Sequence, residues 1–420
     1  MTIALKQDEF RPAADVIAGR FPADVRPSVN QPTLDCYLAA ARGIVPTLAE
    51  HAAQTRAQRR PADESVAAIV GAGLSGIMRP KMFGGPGLEL SDMVAVGSVL
   101  AEGCASTAWV YVVWEVHCWL VGMLPEQGQR EFYADDVNLC CGAANTAKAH
   151  ARAVDGGYMV SGRWGFGSGS THANWTCVFA AIEGQEANGR PLVRMMIVPR
   201  PQFHVEDTWR VEGLSGTGSH DIVIAEEVFV PEHRTVTRAD VAGGTAPGGR
   251  LHGTAAYRMP LPPGAHLATD SSSIGLARAV IALFRDVIMK RTYVTGKAQV
   301  DMPASLIRLA TAEIEVRAAE LLLQDTMREL EAHLRTGAEL TLEQRAKARM
   351  VAGYVPDMCK QVITSLVAAC GASAMLEGSK LASALLDVTM MSLHQSTEYD
   401  RGPENYGRVL VGLEPSNIAI

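Results

Sequence analysis

Two histidines and one glycine-serine run carry the chemistry this sequence can do. His394 falls near the end of the run "DVTMMSLHQSTEYD", residues 387–400. An imidazole with a near-neutral pKa can act as a general base or acid near neutral pH. The same position also reads as a helix-end histidine facing the helix dipole. His117 lies in the most apolar stretch, "AWVYVVWEVHCWLVGML", residues 108–124, beside Trp114 and Trp119. A buried histidine needs a partner, so it is either a ligand contact or a satisfied core residue. The third element is "SGRWGFGSGSTHANW", residues 161–175, with four glycines and three serines around Trp164 and Trp175. Glycine lets backbone approach a ligand closely, serine supplies short hydrogen-bonding groups, and tryptophan offers a flat face. A planar heterocycle suits that mixture, and so does an ordinary turn between strands.

Composition limits where such a site could work. The chain has 420 residues, 48% of them apolar, enough for two or three packed units. A formal net charge of -7 leaves no basic footprint for nucleic acid. Eight cysteines occur without C-x-x-C pairs or metal-type spacing, which reads as reduced thiols, a cytoplasmic setting and no metal site. Cys140 and Cys141, the adjacent pair, read as strand residues with no redox role. The N-terminus is charged throughout and has no signal-peptide core. Residues 108–124 include Glu115 and His117, so they read as a buried helix and not a membrane span.

Three zones must position the candidates. Residues 1–135 read mainly as helix, with Ser91 as the N-cap of one of them. Residues 136–240 change to short runs rich in Val, Ile and Phe, with Asp155-Gly156-Gly157 as a hairpin turn, and predict an antiparallel β domain. Residues 241–420 return to helix, after a Gly- and Pro-rich stretch at 241–262 that reads as a linker or mobile loop. Met302, Leu309, Val316, Leu323 and Leu330 recur every seven residues, and Ala312, Ala319 and Thr326 form a small-residue row beside them. That pattern predicts a long helix with a close-packing seam, as in a four-helix bundle. The fold class is therefore α+β: helices, a β domain, then a bundle.

In that order the chain resembles the acyl-CoA dehydrogenase fold. Within it the chain resembles the oxygenase components of two-component flavin-dependent monooxygenases, similar to 4-hydroxyphenylacetate hydroxylase and the steroid-ring phenol hydroxylases. The likeness covers roughly residues 30–415. It rests on "GRWGFGSGSTHANW", on "GLSGTGSHDIVIAEEVFVPEHR" at 213–234, on "YRMP" at 257–260, and on the closing segment with His394. The resemblance implies reduced FMN or FAD supplied by a separate NAD(P)H-dependent reductase. It also implies O2 as cosubstrate, a C4a-hydroperoxide that hydroxylates an aromatic substrate, and a homotetramer. It implies catalytic roles for His394 and His117. The flavin would lie along Trp164, Phe166, Gly167 and Ser168, with Arg291 and Lys297 on its phosphate. Trp114, Asn145, Thr146 and Arg258 would line the substrate side. One departure stands out, because Gly167 precedes Ser168 where several relatives have two consecutive serines.

Two rival activities share the fold. An acyl-CoA dehydrogenase needs a carboxylate base, often in a Tyr-Glu-Gly-Thr segment. Here the region reads "YDRGPENYGRVLVG", leaving Glu404 as the one conceivable base. An N-hydroxylase of an amine or amino sugar would need no phenol-activating histidine. A non-enzymatic helical scaffold would need neither the glycine-serine run nor the ordered motifs.

Overall fold

The computed structural model describes residues 33–143 and 149–416. Six helices come first: α1 (Leu34–Glu50), α2 (Ala52–Gln58), α3 (Asp63–Gly71), α4 (Leu90–Ala101), α5 (Ala105–Val121) and α6 (Glu126–Phe132). Helix α5 is largely apolar, as a helix inside a core must be, and its one carboxylate, Glu115, accepts from the N–H groups of Gly76 and Met78. Val113 and His117 are half-buried and its other residues are buried. Among the described residues no helix is long and apolar enough to cross a membrane. Helix α4 starts at Glu89, whose N–H donates to Asp92 Oδ2 at 3.0 Å. Ser91 is therefore not the cap that the sequence suggested. Its N–H and hydroxyl instead donate to the buried carboxylate of Glu331, both at 2.8 Å.

Eight strands follow: β1 (Cys140–Gly142), β2 (His150–Val154), β3 (Gly157–Gly167), β4 (Trp175–Ala187), β5 (Arg190–Pro199), β6 (His204–Glu206), β7 (His220–Pro231) and β8 (Thr235–Thr237). They run in the order β6-β7-β3-β2-β4-β5-β8, with β1 also paired to β4. The sheet is mixed and not wholly antiparallel, because β1 and β2 each lie parallel to β4. A parallel neighbour needs a long connection, and here the segment from β1 to β4 includes the whole β2–β3 hairpin. That hairpin turns at Asp155-Gly156, where Gly156 has φ +75°.

The stretch 241–262 is not a loop. It forms α7 (Arg238–Gly243), α8 (Pro247–His252), α9 (Ala255–Arg258) and the start of α10 (Leu261–Thr269). The Gly and Pro residues that read as breakers are helix punctuation: Pro247 opens α8, and Gly244 and Gly253 end α7 and α8 with positive φ. The bundle then comprises α11 (Ser271–Lys290), α12 (Pro303–Arg335), α13 (Leu342–Ala369) and α14 (Lys380–Ser392), with α15 (Arg401–Leu410) beyond it.

On α12 the seven-residue row turns inward: Val316, Leu323 and Leu330 are buried with Ala312, Ala319 and Thr326. A second row faces out, with Ile307, Ile314 and Leu321 exposed at 65, 71 and 52%. Helices α4 and α11 touch through glycine. A Cβ on Gly275 would sit 2.0 Å from Ser98 O, and one on Gly97 would sit 2.9 Å from Ser271 Oγ.

Candidate active site

The end of β3 and the turn before β7 are sewn together by their own hydroxyl and amide groups. Gly169 N–H donates to Thr217 O at 2.9 Å, and Ser170 Oγ donates to Gly218 O at 3.0 Å. Thr217 Oγ1 donates to Leu214 O at 2.8 Å, Ser219 Oγ lies 2.7 Å from Thr217 Oγ1, and Ser168 Oγ lies 2.8 Å from Ser219 Oγ. Each hydroxyl has one hydrogen. Thr217 spends its own on a carbonyl, so Ser219 donates to Thr217 and Ser168 donates to Ser219. The row ends with the lone pairs of Ser168 Oγ turned outward.

Two bulky residues flank this seam in left-handed backbone, Phe166 at φ +60° and Leu214 at φ +51°. Such residues are genuine outliers and cluster at working sites. Leu214 is pinned from both sides, its N–H donating to Asp387 Oδ1 at 2.7 Å and its carbonyl accepting from Trp209 Nε1 at 3.1 Å. Phe166 leans on Trp209, ring centroids 5.7 Å apart, and leaves its ring 57% exposed. Asp387 also pairs with Arg56 at 2.7 Å, so the seam is anchored to α14. Gly167 has no room for a serine, because its Cβ would meet His220 O at 2.8 Å and Ile222 at 3.0 Å. Ser168 is thus the hydroxyl this backbone allows.

Helix α5 presents a stripe of Trp109, Val113 and His117, spaced by four residues and so stacked on one face. From Trp109 to His117 the stripe spans about 12 Å. At one end the Trp109 and His394 rings meet edge to face with centroids 5.2 Å apart. At the other end His117 Nδ1 lies 2.7 Å from Val113 O. A carbonyl only accepts, so Nδ1 carries the hydrogen and Nε2 keeps its lone pair. Gly142 makes room for this ring, since a Cβ there would fall 1.7 Å from Nε2.

His394 is bound the opposite way. Its Nδ1 accepts from Ser396 N–H at 3.2 Å and lies 2.5 Å from Ser396 Oγ. Ser396 is braced in turn by Thr269, whose Oγ1 is 3.4 Å from Ser396 Oγ, and by buried Arg349, which donates to Ser396 O at 3.0 Å and Glu398 O at 2.9 Å.

Burial lowers the pKa of His394 and of His117 to about 4 each. His394 stays exposed by surface area although protein crowds around it. His266, on the same side of α10 as Thr269, is lowered to about 3 by burial, with Arg349 and His394 adding to it. Asp270 is fully buried with no partner for either oxygen, and burial raises its pKa well above the ordinary carboxylate range.

Neither His266 nor Trp109 stands out in the sequence. Trp109 carries a signal in its four-residue spacing to Val113 and His117, and His266 carries none.

Other sequence candidates land elsewhere. Trp164 is fully buried in the sheet's own core, its Nε1–H donating to Phe179 O at 3.0 Å. Trp114 is an internal brace, its Nε1–H reaching Gly169 O at 3.3 Å behind the seam. Arg258 caps the end of α12, donating to Leu334 O at 2.7 Å and Gly337 O at 2.5 Å, where bare carbonyls attract a cation. Arg291 does the same for α13 at Cys370 O, 2.6 Å away, and Lys297 is exposed on the loop that follows. Asn145 and Thr146 lie outside the described residues. His220 is not a surface residue. It is 3% exposed, and its Nδ1 accepts from the N–H groups of Thr208 and Trp209, both at 3.2 Å. His233 is half-buried against Glu131 at 2.8 Å. A cavity of about 520 Å³ lies beside β8, lined by Arg194, His233 and Asp240 among others, and includes no residue of the seam or the stripe.

Known proteins are similar to this chain over most of its length. Residues 38–137 match the family "Acyl-CoA dehydrogenase, N-terminal domain", and residues 269–399 match "Acyl-CoA dehydrogenase, C-terminal domain". The oxygenase component of an FADH(2)-dependent resorcinol hydroxylase from Rhizobium sp. is 32% identical over 94% of this chain and 97% of its own. The oxygenase component of p-hydroxyphenylacetate 3-hydroxylase from Acinetobacter baumannii is 27% identical over 89% of this chain and 88% of its own. The crystal structure of 3-HSA hydroxylase from Rhodococcus sp. RHA1 superposes with a TM-score of 0.85 at 27% identity, covering 91% of this chain and 98% of that one.

Two measurements check this geometry. Gly142→Ala forces a methyl group onto His117 Nε2 and should cost about 1–3 kcal/mol of stability, the range for overpacking, read from denaturant midpoints. The buried neutral histidines set an acid limit. His117 and His220 titrate near 4 when folded against 6.5 when exposed. Below 6.5 the unfolded chain binds protons that the folded chain refuses. Stability should be complete above about 6.5 and fall as pH drops toward about 4, and a flat urea midpoint across that window would contradict the burial described.

Proposed function

This chain belongs to the acyl-CoA dehydrogenase family, among its flavin-dependent oxygenase components, and from that premise we propose how its cleft hydroxylates a phenol. It is the oxygenase component of a two-component flavin-dependent monooxygenase acting on an aromatic substrate. A separate NAD(P)H-dependent reductase supplies the reduced flavin, FMN or FAD. The eight free thiols and the need for NAD(P)H agree with a cytoplasmic reaction.

The seam suits a reduced flavin. Phe166 offers an exposed flat face. Ser215 Oγ is buried beside the seam without a partner, and Ser168 Oγ presents lone pairs. A reduced isoalloxazine carries a hydrogen on N5 that the oxidised ring lacks, so an acceptor at this edge favours the reduced form. Bound there, the flavin supplies two electrons and the activated oxygen. Everything else falls to the chain. Ser168 and the adjoining backbone hold the ring edge, and Phe166 covers a face. The stripe of Trp109 and Val113 packs the substrate, while His117 and His394 hold its polar groups. The observation that carries this reading is the stripe of Trp109, Val113 and His117 along one helix face, with the His394 ring 5.2 Å from Trp109 at one end of it. Glu404 is exposed on the first turn of α15, which suits no buried carboxylate base and disfavours dehydrogenation.

The exposed row Ile307, Ile314 and Leu321 supports a homotetramer, in which Arg291 and Lys297 of one copy reach the flavin phosphate of another. Ile314→Asp should lower the assembly's mass in light scattering, and an unchanged mass would remove this row from the interface.

Anaerobic titration with FMNH2 or FADH2 should show saturable binding, and oxygen with a panel of phenols should then yield catechols. His394→Ala should lower product per O2 by about tenfold or more, with O2 consumption kept and hydrogen peroxide rising to match. Unchanged coupling would take His394 out of the reaction.

A further inference from the structure

The chain between β6 and β7 is gathered around one buried imidazole. His220 Nδ1 accepts the N–H groups of both Thr208 and Trp209, each at 3.2 Å. A hydrogen on Nδ1 would face two other N–H groups, so the neutral ring keeps its hydrogen on Nε2. Asp207 Oδ1 lies 3.4 Å from the same nitrogen. Its carboxylate is engaged elsewhere, by Arg59 at 2.7 and 2.9 Å and by Arg210 at 2.6 and 2.8 Å. Arg59 also donates to Trp209 O at 2.8 Å, and Thr208 Oγ1 donates to Asp221 Oδ1 at 3.0 Å. The N–H and the carbonyl of Trp209 are thus both fixed, which aims its side chain. The indole is 7% exposed, its Nε1–H donates to Leu214 O at 3.1 Å, and its ring meets Phe166 edge to face with centroids 5.7 Å apart. Leu214 and Phe166 are the two left-handed residues of the seam.

We propose that Trp209 is a positioning residue for the flavin seam, and that His220 positions Trp209 by accepting its N–H together with that of Thr208. This rests on the hydroxylase reading above and names residues that reading does not use.

Leu214 O is the carbonyl from which the row of hydroxyls takes its direction, and Phe166 is the ring that covers a flavin face. One indole touches both, so the row and the cover are set against each other by a single rigid group. Phe166 needs such a support. Its backbone is strained and its ring is 57% exposed, and the Trp209 edge is a contact that keeps the ring in one place. The His220 imidazole works at one remove, through the indole.

Two replacements of equal shape isolate the acceptor. Asparagine and leucine both place an atom where Nδ1 of His220 lies, and only asparagine can accept a hydrogen bond there. In anaerobic titration with FMNH2 or FADH2, His220→Asn should bind within about threefold of wild type, and His220→Leu should raise Kd about tenfold, the upper reach of an aromatic edge contact. KM for the phenol should stay unchanged in both, because the phenol packs on the stripe of α5. Equal Kd values for the two variants, or a KM that rises together with Kd, would overturn the assignment. Trp209→Leu should raise Kd as His220→Leu does, and the double variant should bind no more weakly than Trp209→Leu alone, since His220 acts through an indole already gone. Effects that multiply would overturn the proposal. Hydrogen exchange on the wild type reads the same contact without a variant. The Thr208 and Trp209 amides should exchange as slowly as those paired within β7, and fast exchange at both overturns the proposal whether or not the variants fold. A wild type that binds neither reduced flavin would overturn the hydroxylase reading itself. A wild type that binds one of them no better than His220→Leu does would overturn the role of His220 and leave that reading standing.

Discussion

The seam between the end of β3 and the turn before β7 is the constraint on which the site depends. Phe166 and Leu214 sit in backbone that bulky side chains avoid, and they stay there because the atoms around them allow nothing else. Leu214 is held through its N–H by Asp387 and through its carbonyl by Trp209 and Thr217. Each buried polar group in the row from Leu214 O to Ser168 has a partner, and removing one would leave its neighbour uncompensated at about 1–3 kcal/mol. The row is therefore cooperative. Its direction is fixed at the carbonyl end, and the outward lone pairs of Ser168 follow from hydrogen bonds three residues deep.

Helix α5 joins this seam to the histidines. Ser106, Val110 and Trp114 lie on the face toward the seam, where Trp114 fills the space that Gly169 leaves open. One residue further round is the cleft face of Trp109, Val113 and His117. A helix buried on all other sides cannot rotate or slide without emptying the core, which is packed like a crystal. The seam and the stripe are thus held on two neighbouring faces of one helix. Asp387 makes the third connection, since α14 bears both the carboxylate that anchors Leu214 and, just past its end, His394. The sheet, the central helix and the bundle thus meet through Trp114 and Asp387, and no single domain contains the candidate site.

Much of this was legible in the sequence. The order of helix, strand and helix, the inward row of α12 and the buried character of 108–124 follow from periodicity alone. The region 241–262 misled because Gly and Pro mark both loops and helix ends, and only tertiary packing shows which. Ser91 misled for a related reason: its hydroxyl is engaged by Glu331, some 240 residues away, and no local rule predicts a partner at that range. Site residues divide in the same way. Ser168 and His394 sit in motifs that can be read along the chain. Trp164, Trp114 and Arg258 are equally conspicuous in sequence, yet an indole in the sheet core, a brace and a helix cap look no different there from ligand contacts. Thr269, Arg349 and Ser396 bear no motif, because their work is to orient another residue's nitrogen.

The exposure of the candidate site in the single chain bears on its chemistry. Oxygen activation on a flavin needs water kept away, yet Phe166 and His394 are exposed in the single chain. One feature could close it. The outward apolar row of α12 lies on the bundle that also carries His394, and solvent-facing isoleucines at seven-residue spacing gain about 25 cal/mol for each Å2 that a second copy covers. Assembly would then do more than add stability. A lower dielectric around the exposed His394 ring would strengthen the hydrogen bonds that ring makes.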